Sequence, residues 1–134
     1  MTIRSCIVRD YMTPHPVTFK TDMDVLDAVH ALVEHRIAGA PVINNHGEVV
    51  GMLSEFDCMK VALASGYYGD AGGPVSEYMS SSVETVDADM SIVDLAEKFL
   101  NTKFRRFPVM TENRLVGQIS RRDVLRALEN IAHS

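Results

Sequence analysis

The chain has 134 residues, of which 46% are hydrophobic and 23% are charged, and its formal net charge is −5 at pH 7. This composition is typical of a globular chain with one ordinary core and excludes disordered and fibrous proteins. The acidic balance argues against nonspecific binding to nucleic acid, although a local basic patch could still hold a small anion. We therefore expect the partner to be a small molecule or a protein.

Two features of the sequence bear on where the protein works. No apolar run approaches the roughly 20 residues that cross a bilayer, and the first residues lack the apolar segment and cleavage site of a secretory signal. Cys6 and Cys58 lie at non-equivalent places in a repeated pattern, so neither a shared disulfide framework nor a paired metal motif is indicated. We expect a cytoplasmic protein with reduced thiols and no membrane contact.

The chain contains two copies of one sequence pattern, offset by 67 residues at first and by 66 later. The matching segments are VRDYM at 8–12 with VSEYM at 75–79, PV at 41–42 with PV at 108–109, and GMLSEFD at 51–57 with GQISRRD at 117–123. Such a repeat predicts two copies of one supersecondary unit, each too small to bury its apolar face alone. The boundaries that follow are 8–66 for the first copy, 67–74 for a linker and 75–132 for the second copy.

Each copy is predicted to begin with a strand and an amphipathic helix. The strand ends in the apolar or β-branched residues PVTF in the first copy and VETV in the second. The helices start at Asp24 and Ser91, where Asp27 and Asp94 complete patterns that resemble capping boxes. Apolar residues follow at helical spacing, namely Val25, Leu26, Val29, Leu32 and Val33 in one helix and Ile92, Val93, Ala96, Phe99 and Leu100 in the other.

A hairpin and a second helix complete each copy. The apolar runs APVI and VVGML, and likewise FPVM and LVGQI, flank a polar turn, which predicts two short paired strands. The second helices are predicted at 55–65 and 121–132, and a segment rich in glycine ends the first of them near Gly66 and forms a flexible connection. The element order predicts an α/β (α+β) fold in which two small sheets with flanking helices share one core.

With this element order, both copies resemble CBS motifs, and the pair resembles the CBS-domain pair called a Bateman module. The resemblance covers residues 8–130 and rests mainly on the paired pattern Gly-x-x-Ser-x-x-Asp behind a Pro-Val strand. It implies two motifs in a pseudo-twofold arrangement, with two clefts that each bind an adenosine-containing ligand such as AMP, ADP, ATP or S-adenosylmethionine. It also implies a regulatory sensor that performs no chemistry on this nucleotide and signals to a regulated protein of unknown identity.

The resemblance places the nucleotide-binding residues in two clefts, each built from the first strand and turn of one copy and the Ser-x-x-Asp of the other. The first cleft would contain Val17, Thr18, Ile37, Ala38, Pro41, Ser120, Arg121, Arg122 and Asp123. The second cleft would contain Thr85, Phe104, Arg105, Arg106, Pro108, Ser54 and Asp57, with Glu84 beside them on the first strand.

The residue types in these clefts suit a nucleotide. Asp123 and Asp57 would accept hydrogen bonds from both ribose hydroxyls. The serine three residues before each aspartate starts a helix, whose free amides and positive dipole end favour a phosphate. Ile37 and Phe104 would pack against the adenine ring. The same Ser-x-x-Asp is also a helix cap, and the two interpretations are compatible because a capping serine can face a cleft.

The two copies differ in charge around these positions. The second copy carries five cationic residues near the site, namely Lys103, Arg105, Arg106, Arg121 and Arg122. They form either a solvated basic face that balances an acidic chain or an anion pocket in which the planar arginine fork binds phosphate. We favour the pocket, a ligand with at least one phosphate, and the cleft containing Asp123 as the better site. Glu84 either points to solvent or weakens the second site.

Other classes of site find little support. The histidines show no metal-ligand spacing, since His30 and His35 at i, i+5 fall on different helix faces. The sequence has no serine elbow, P-loop or dinucleotide fingerprint, so we expect neither an enzyme nor a cofactor. Net acidity disfavours a nucleic-acid binder that uses the arginines. The methionines, Met52, Met59 and Met110 among them, are interpreted as core filling.

The alternative function is a ligand-free module that dimerises or holds partners. Bulky Phe104 and Phe107 beside Glu84 would then fill one cleft. Under either hypothesis, the resemblance implies a homodimer formed through the helices. The candidate interface positions are Val29, Val33, Leu125 and Leu128.

Overall fold

The mixed α/β fold that the sequence predicts is confirmed in a computed structural model, which describes residues 6–68 and 72–133. The strands are β1 (Thr13–Pro14), β2 (Phe19–Lys20), β3 (Gly39–Ile43), β4 (Val49–Ser54), β5 (Val86–Asp87), β6 (Arg106–Thr111) and β7 (Arg114–Ser120). The helices are α1 (Val25–His35), α2 (Glu55–Tyr68), α3 (Ile92–Leu100) and α4 (Arg121–Ala132). Single 3-10 turns span Val8–Asp10 and Val75–Glu77.

Element boundaries differ from the sequence-based expectation in two places. Strands β2 and β5, which correspond to the predicted strand before the first helix of each copy, cover only two residues each. They begin at Phe19 and Val86, the last residues of the predicted runs. Helix α2 continues through Gly66 to Tyr68, because one glycine costs a helix only about 1 kcal/mol relative to alanine and does not stop it. Part of the expected linker, residues 69–71, lies outside the described residues.

The chain divides into two compact units that do not coincide with the two copies of the repeat. Unit 1 contains the chain through Pro16 and from Glu84 onward, and unit 2 contains Val17–Val83. The leading segment of each copy therefore belongs to the unit that is built on the other copy. Sequence identity between the copies gives no sign of this exchange.

Backbone hydrogen bonds hold each exchanged segment in its unit. In unit 1, β1 pairs antiparallel with β7, and the Val8 N–H donates to the Met90 carbonyl over 2.9 Å. In unit 2, the Val75 N–H donates to the Met23 carbonyl over 2.8 Å, and Ser80 forms an isolated bridge with Met52. The sheets run β1-β7-β6-β5 in unit 1 and β2-β3-β4 in unit 2.

The expectation of one shared core is wrong, because the buried apolar residues form two clusters, one in each unit. The exchanged segments explain why each unit can bury its own apolar face, since Val8 enters one cluster and Val75 the other. The largest buried side chains are Phe107, Ile92, Leu95 and Ile119 in unit 1, and Phe19, Leu53, Val25 and Val42 in unit 2.

The glycine that opens the repeated motif lets the exchanged segment lie close to the sheet. A Cβ added at Gly117 would be 2.9 Å from the Thr13 carbonyl oxygen, and one at Gly51 would be 2.9 Å from the Ser80 carbonyl oxygen. Real Cβ atoms do not approach a backbone oxygen so closely, so a side chain here would push the segment away. The motif glycine is therefore a packing requirement in both units.

Several apolar residues that the sequence assigned to helix core faces are exposed instead. Met59, interpreted as core filling, is 57% exposed, and Val33 and Leu100 are 73% and 85% exposed. These side chains lie outside the buried stripe of their helices, because each sheet covers only one stripe of a helix. Leu26, Leu63, Leu125 and Leu128 are exposed as well.

The first-helix caps are simpler than the predicted capping boxes. The Asp24 carboxylate accepts from the Leu26 N–H over 2.9 Å, and the Ser91 hydroxyl accepts from the Asp94 N–H over 3.1 Å. No return bond from Asp27 or Asp94 occurs among the contacts of the described residues. Complete capping boxes are found at the second helices instead.

Candidate functional site

The repeated Ser-x-x-Asp forms the same closed hydrogen-bond set in both units. In unit 1, Asp123 Oδ2 accepts from the Ser120 N–H over 2.8 Å and from Ser120 Oγ over 3.0 Å. In unit 2, Asp57 Oδ2 accepts from the Ser54 N–H over 3.0 Å and from Ser54 Oγ over 2.9 Å. Each serine Oγ also accepts the amide of its aspartate, so the motif is a capping box in both places.

The turn before each Pro-Val strand is bound to the start of the second helix of the same copy. The Glu55 N–H donates to the Ala38 carbonyl over 2.8 Å, and the Arg121 N–H donates to the Arg105 carbonyl over 3.2 Å. Two of the first-turn amides are thus occupied, one by the turn and one by the serine. The helix start therefore offers fewer free amides to a phosphate than the sequence suggested. In the first turn of α4, the Arg122 N–H is the amide left for a ligand.

Arg126 contacts the candidate ribose acceptor of unit 1, and sequence reasoning missed it. Its guanidinium lies 3.1 Å from Asp123 Oδ1 and donates to the Tyr11 carbonyl over 2.9 Å. The same guanidinium also lies over the Tyr11 ring, 5.4 Å from its centroid. The i, i+3 spacing after Asp123 was the available signal, because such residues are neighbours on a helix surface.

The equivalent position in unit 2 is Lys60, which makes a different contact. Its ammonium lies 5.1 Å from the centroid of the Phe56 ring. Among the contacts of the described residues, no donor reaches Oδ1 of Asp57. One oxygen of this half-buried carboxylate is therefore available to a ligand.

The five cationic residues gather at one end of unit 1. Arg106 pairs with Ser120 in the β6–β7 register, which joins the turn carrying Lys103 and Arg105 to the helix start carrying Arg121 and Arg122. All except Arg106 are exposed. In the described part of the chain, none of the five forms an ion pair. They are free to hold an anion.

The apolar site residues have unequal access to a ligand. Pro41 and Pro108 are buried in their sheets, where each pairs with a residue of the neighbouring strand. Phe107 is fully buried in the core of unit 1 and cannot fill a cleft, which corrects that part of the alternative hypothesis. Phe104 is exposed, 5.6 Å from the Phe107 ring.

The remaining candidates lie at the surface or near it. Ile37 is half-buried against the core of unit 2, and Val17 and Thr18 are half-buried before β2. Glu84 and Thr85 are exposed before β5, so Glu84 has access to solvent. Each predicted cleft draws its residues from both units, and the pairing across units stays a prediction.

A buried thiol adjoins the unit 2 motif. Cys58 follows Asp57 in α2 and is buried, with 5% of its surface exposed. Burial, and secondarily the negative charge of Asp57, raises the pKa of this thiol above its ordinary value of 9.0. Cys58 is therefore a protonated, weakly reactive thiol near neutral pH.

Each unit has an apolar groove between its two helices. The α1–α2 groove has a volume of about 200 Å³ and is lined by Val29, Leu32, Val33, Ile37, Glu55, Cys58, Met59 and Ala62. The α3–α4 groove has a volume of about 450 Å³ and is lined by Ala96, Phe99, Leu100, Thr102, Arg121, Val124, Leu125 and Leu128. The four predicted interface residues all line these grooves.

Within residues 6–68 and 72–133, no helix is long and apolar enough to cross a membrane. The same residues contain no group of three or more His, Cys, Asp or Glu side chains placed to hold a metal ion.

The profile of the CBS domain family matches this chain twice, at residues 8–64 and 75–130. The CBS domain-containing protein YhcV of Bacillus subtilis is 29% identical over 136 residues, which cover 94% of this chain and 95% of that protein. Other relatives are longer, and the matched part covers 42% and 66% of two archaeal ones. Some relatives are enzymes, and the matched part covers 14% of the length of one such enzyme.

Solved structures resemble this fold over nearly the whole chain. CBSX2, a CBS-pair protein of Arabidopsis thaliana crystallised with AMP, is 33% identical with a TM-score of 0.80, over 95% of this chain and 98% of its own. The CBS domain pair of protein MJ0100, crystallised with 5′-methylthioadenosine and S-adenosyl-L-methionine, is 26% identical with a TM-score of 0.75, over 92% and 96% of the two chains.

Proposed function

This chain belongs to the CBS domain family, and from that premise we propose that it is a regulatory module that binds an adenosine-containing ligand. AMP, ADP or ATP is the favoured ligand, and the module performs no chemistry on it. The clefts that the family resemblance implies between the two copies are the proposed binding sites.

The observation that carries the proposal is the matched pair of Ser-x-x-Asp capping boxes. A cap alone needs one acceptor for the helix amides, whereas Asp57 keeps a second carboxylate oxygen without a donor among its described contacts. An ionised carboxylate that is half-buried beside a turn suits two neighbouring hydroxyls, as a ribose presents. The capping box recurs in both units and supports two related sites, although Oδ1 of Asp123 is paired with Arg126.

The ligands of similar proteins support the adenosine class. CBSX2 was crystallised with AMP, and the MJ0100 pair with two adenosine derivatives that carry sulfur at the 5′ position. The shared element of these ligands is the adenosine moiety. The exposed, unpaired arginines of unit 1 favour a phosphorylated member of the class, because guanidinium groups bind phosphate through two parallel hydrogen bonds.

We further propose that two molecules of the protein form a homodimer through their helices. Leu100, Leu125 and Val33 are largely exposed beside the two apolar grooves, and isolated chains rarely leave such contiguous apolar surface in water. If the ligand binds one arrangement of the two subunits more tightly than another, ligand binding would change the affinity for a partner protein.

Isothermal titration calorimetry with AMP, ADP, ATP and S-adenosylmethionine tests the ligand proposal. Wild-type protein is expected to bind at least one nucleotide below millimolar concentration, and the double variant Asp57→Asn with Asp123→Asn to bind it at least about tenfold more weakly. Asp94→Asn, in the first turn of α3, is the matched control. Absence of binding to the wild type below millimolar would overturn the proposal.

The second candidate is the ligand-free module, favoured by the same exposed helix faces. It requires that the protein dimerise and that no nucleotide bind. Mass spectrometry of the small molecules that accompany the purified protein separates the two candidates. A co-purified adenine nucleotide supports the first, whereas a dimer that neither carries nor binds a nucleotide supports the second.

A further inference from the structure

We infer that Arg126 makes Asp123 the weaker of the two ribose acceptors, so that an adenosine ligand occupies Asp57 first. This inference rests on the proposed function and specifies which of its two sites dominates. It differs from the sequence-based expectation, in which the cationic residues of the second copy make the cleft containing Asp123 the better site.

Both oxygens of Asp123 already have partners within unit 1. Oδ2 accepts from the serine amide and hydroxyl, and Oδ1 pairs with Arg126 at 3.1 Å. The carboxylate side chain is only 16% exposed, so water competes weakly for it. A ribose that bonds to Asp123 with two hydroxyls must displace the guanidinium.

Arg126 is held in this position by more than the carboxylate. Its guanidinium donates to the Tyr11 carbonyl over 2.9 Å and lies over the Tyr11 ring. Tyr11 belongs to the exchanged leading segment, which is fixed to the sheet through the pairing of β1 with β7. Displacement of Arg126 therefore gives up three contacts together.

The unit 2 site has no such restraint. Lys60 replaces Arg126, and its ammonium lies over the Phe56 ring rather than against Asp57. A lysine has no planar fork with which to bind a carboxylate and a carbonyl together. Oδ1 of Asp57 can accept a ribose hydroxyl without displacing a side chain.

The two sites consequently differ in the group that dominates binding. The Asp57 site offers the free carboxylate oxygen. The Asp123 site has the unpaired arginines but must release Arg126 before it accepts the ribose. For a ligand with a single phosphate, the attraction between that phosphate and the arginines does not compensate for the displacement of Arg126.

Calorimetry with AMP on site-isolating variants tests this inference. Asp57→Asn leaves Asp123 as the ribose acceptor, and Asp123→Asn leaves Asp57. Asparagine retains an oxygen for the serine amide, and thermal unfolding checks that the cap survives. Adding Arg126→Ala to Asp57→Asn, and Lys60→Ala to Asp123→Asn, compares equivalent positions in the two units.

The Asp57→Asn protein is expected to bind AMP roughly two- to tenfold more weakly than the Asp123→Asn protein. Arg126→Ala should recover roughly this factor, although loss of a positive charge by itself weakens AMP binding. Lys60→Ala should leave AMP affinity unchanged within about twofold.

Unchanged or weaker AMP binding on adding Arg126→Ala to Asp57→Asn would overturn the inference and leave the proposed function standing. Tighter binding by Asp57→Asn than by Asp123→Asn would overturn it as well. Absence of binding of AMP and also of ADP, ATP and S-adenosylmethionine to the wild type would instead defeat the proposed function.

Discussion

The backbone N–H of Arg121 donates a 3.2 Å hydrogen bond to the carbonyl oxygen of Arg105. Through this bond, the turn before β6 and the first residue of α4 carry their guanidinium groups at the same end of unit 1. The corresponding bond in unit 2 joins Glu55 to Ala38, which supplies no cation. The two units thus share a backbone arrangement and differ in what it offers an anion.

In the Asp57→Asn protein, which retains Asp123 as the ribose acceptor, replacing both Arg121 and Arg122 by alanine is expected to weaken ATP binding by roughly tenfold and adenosine binding by less than about twofold. The loss should shrink at high salt, because exposed charges are screened. Arg114→Ala is the matched control, since Arg114 is exposed at the opposite end of the β6–β7 hairpin, where it pairs with Thr111. Equal loss of ATP affinity in the control would show that only net charge matters.

Ser120→Ala is expected to lower the free energy of unfolding by about 1 to 2 kcal/mol, because it removes the acceptor for the Asp123 amide and one donor to the carboxylate. Ser54→Ala should act similarly on unit 2. Chemical denaturation measures both. Ser80→Ala is the control, since exposed Ser80 is held by backbone hydrogen bonds to Met52, and a comparable loss there would contradict a capping role.

Much of the fold follows from sequence because the periodic apolar residues and the Ser-x-x-Asp caps are local signals. The paired caps are found where the repeat places them. The exchange of leading segments was missed because it depends on which sheet Val8 and Val75 pack against, and no local pattern records that choice. The Arg126 contact was missed because the sequence-based site rests on positions that are identical in the two copies, and Arg126 aligns with Lys60.

Gly117→Ala is expected to destabilise the protein by about 1 to 3 kcal/mol, because its Cβ would crowd the Thr13 carbonyl and the Met12 side chain. Gln118→Ala, one residue later on β7, should cost much less. Thermal unfolding compares the two. A Gly117→Ala protein as stable as Gln118→Ala would mean that the leading segment moves away without penalty.

Leu125→Glu is expected to shift the protein from dimer toward monomer, because it places a charge in the exposed apolar surface beside the α3–α4 groove. Sedimentation velocity over a concentration series measures the shift. Asn130→Glu adds the same charge at another exposed position of α4 and should leave association unchanged. If wild type and Leu125→Glu sediment alike, the helix face is not the contact.

Stability is expected to fall as pH rises above about 9, in part because of Cys58. Its pKa is raised in the folded state, so the unfolded chain loses the thiol proton first and unfolding is favoured between the ordinary value of 9.0 and the raised one. Below pH 9 this contribution is fully present. Cys58→Ala should show a shallower alkaline decline of unfolding free energy than wild type, and an identical slope would contradict the assignment.

Because the leading segments are exchanged, neither copy of the repeat contains a complete unit. A cut between the copies would leave one fragment with β1 but without the strand it pairs with, and the other with Ser80 but without Met52. Neither fragment holds all the residues of either unit, so one copy is not an autonomous folding module. The two fragments together contain every pairing, and their recovery of structure on mixing would be complementation.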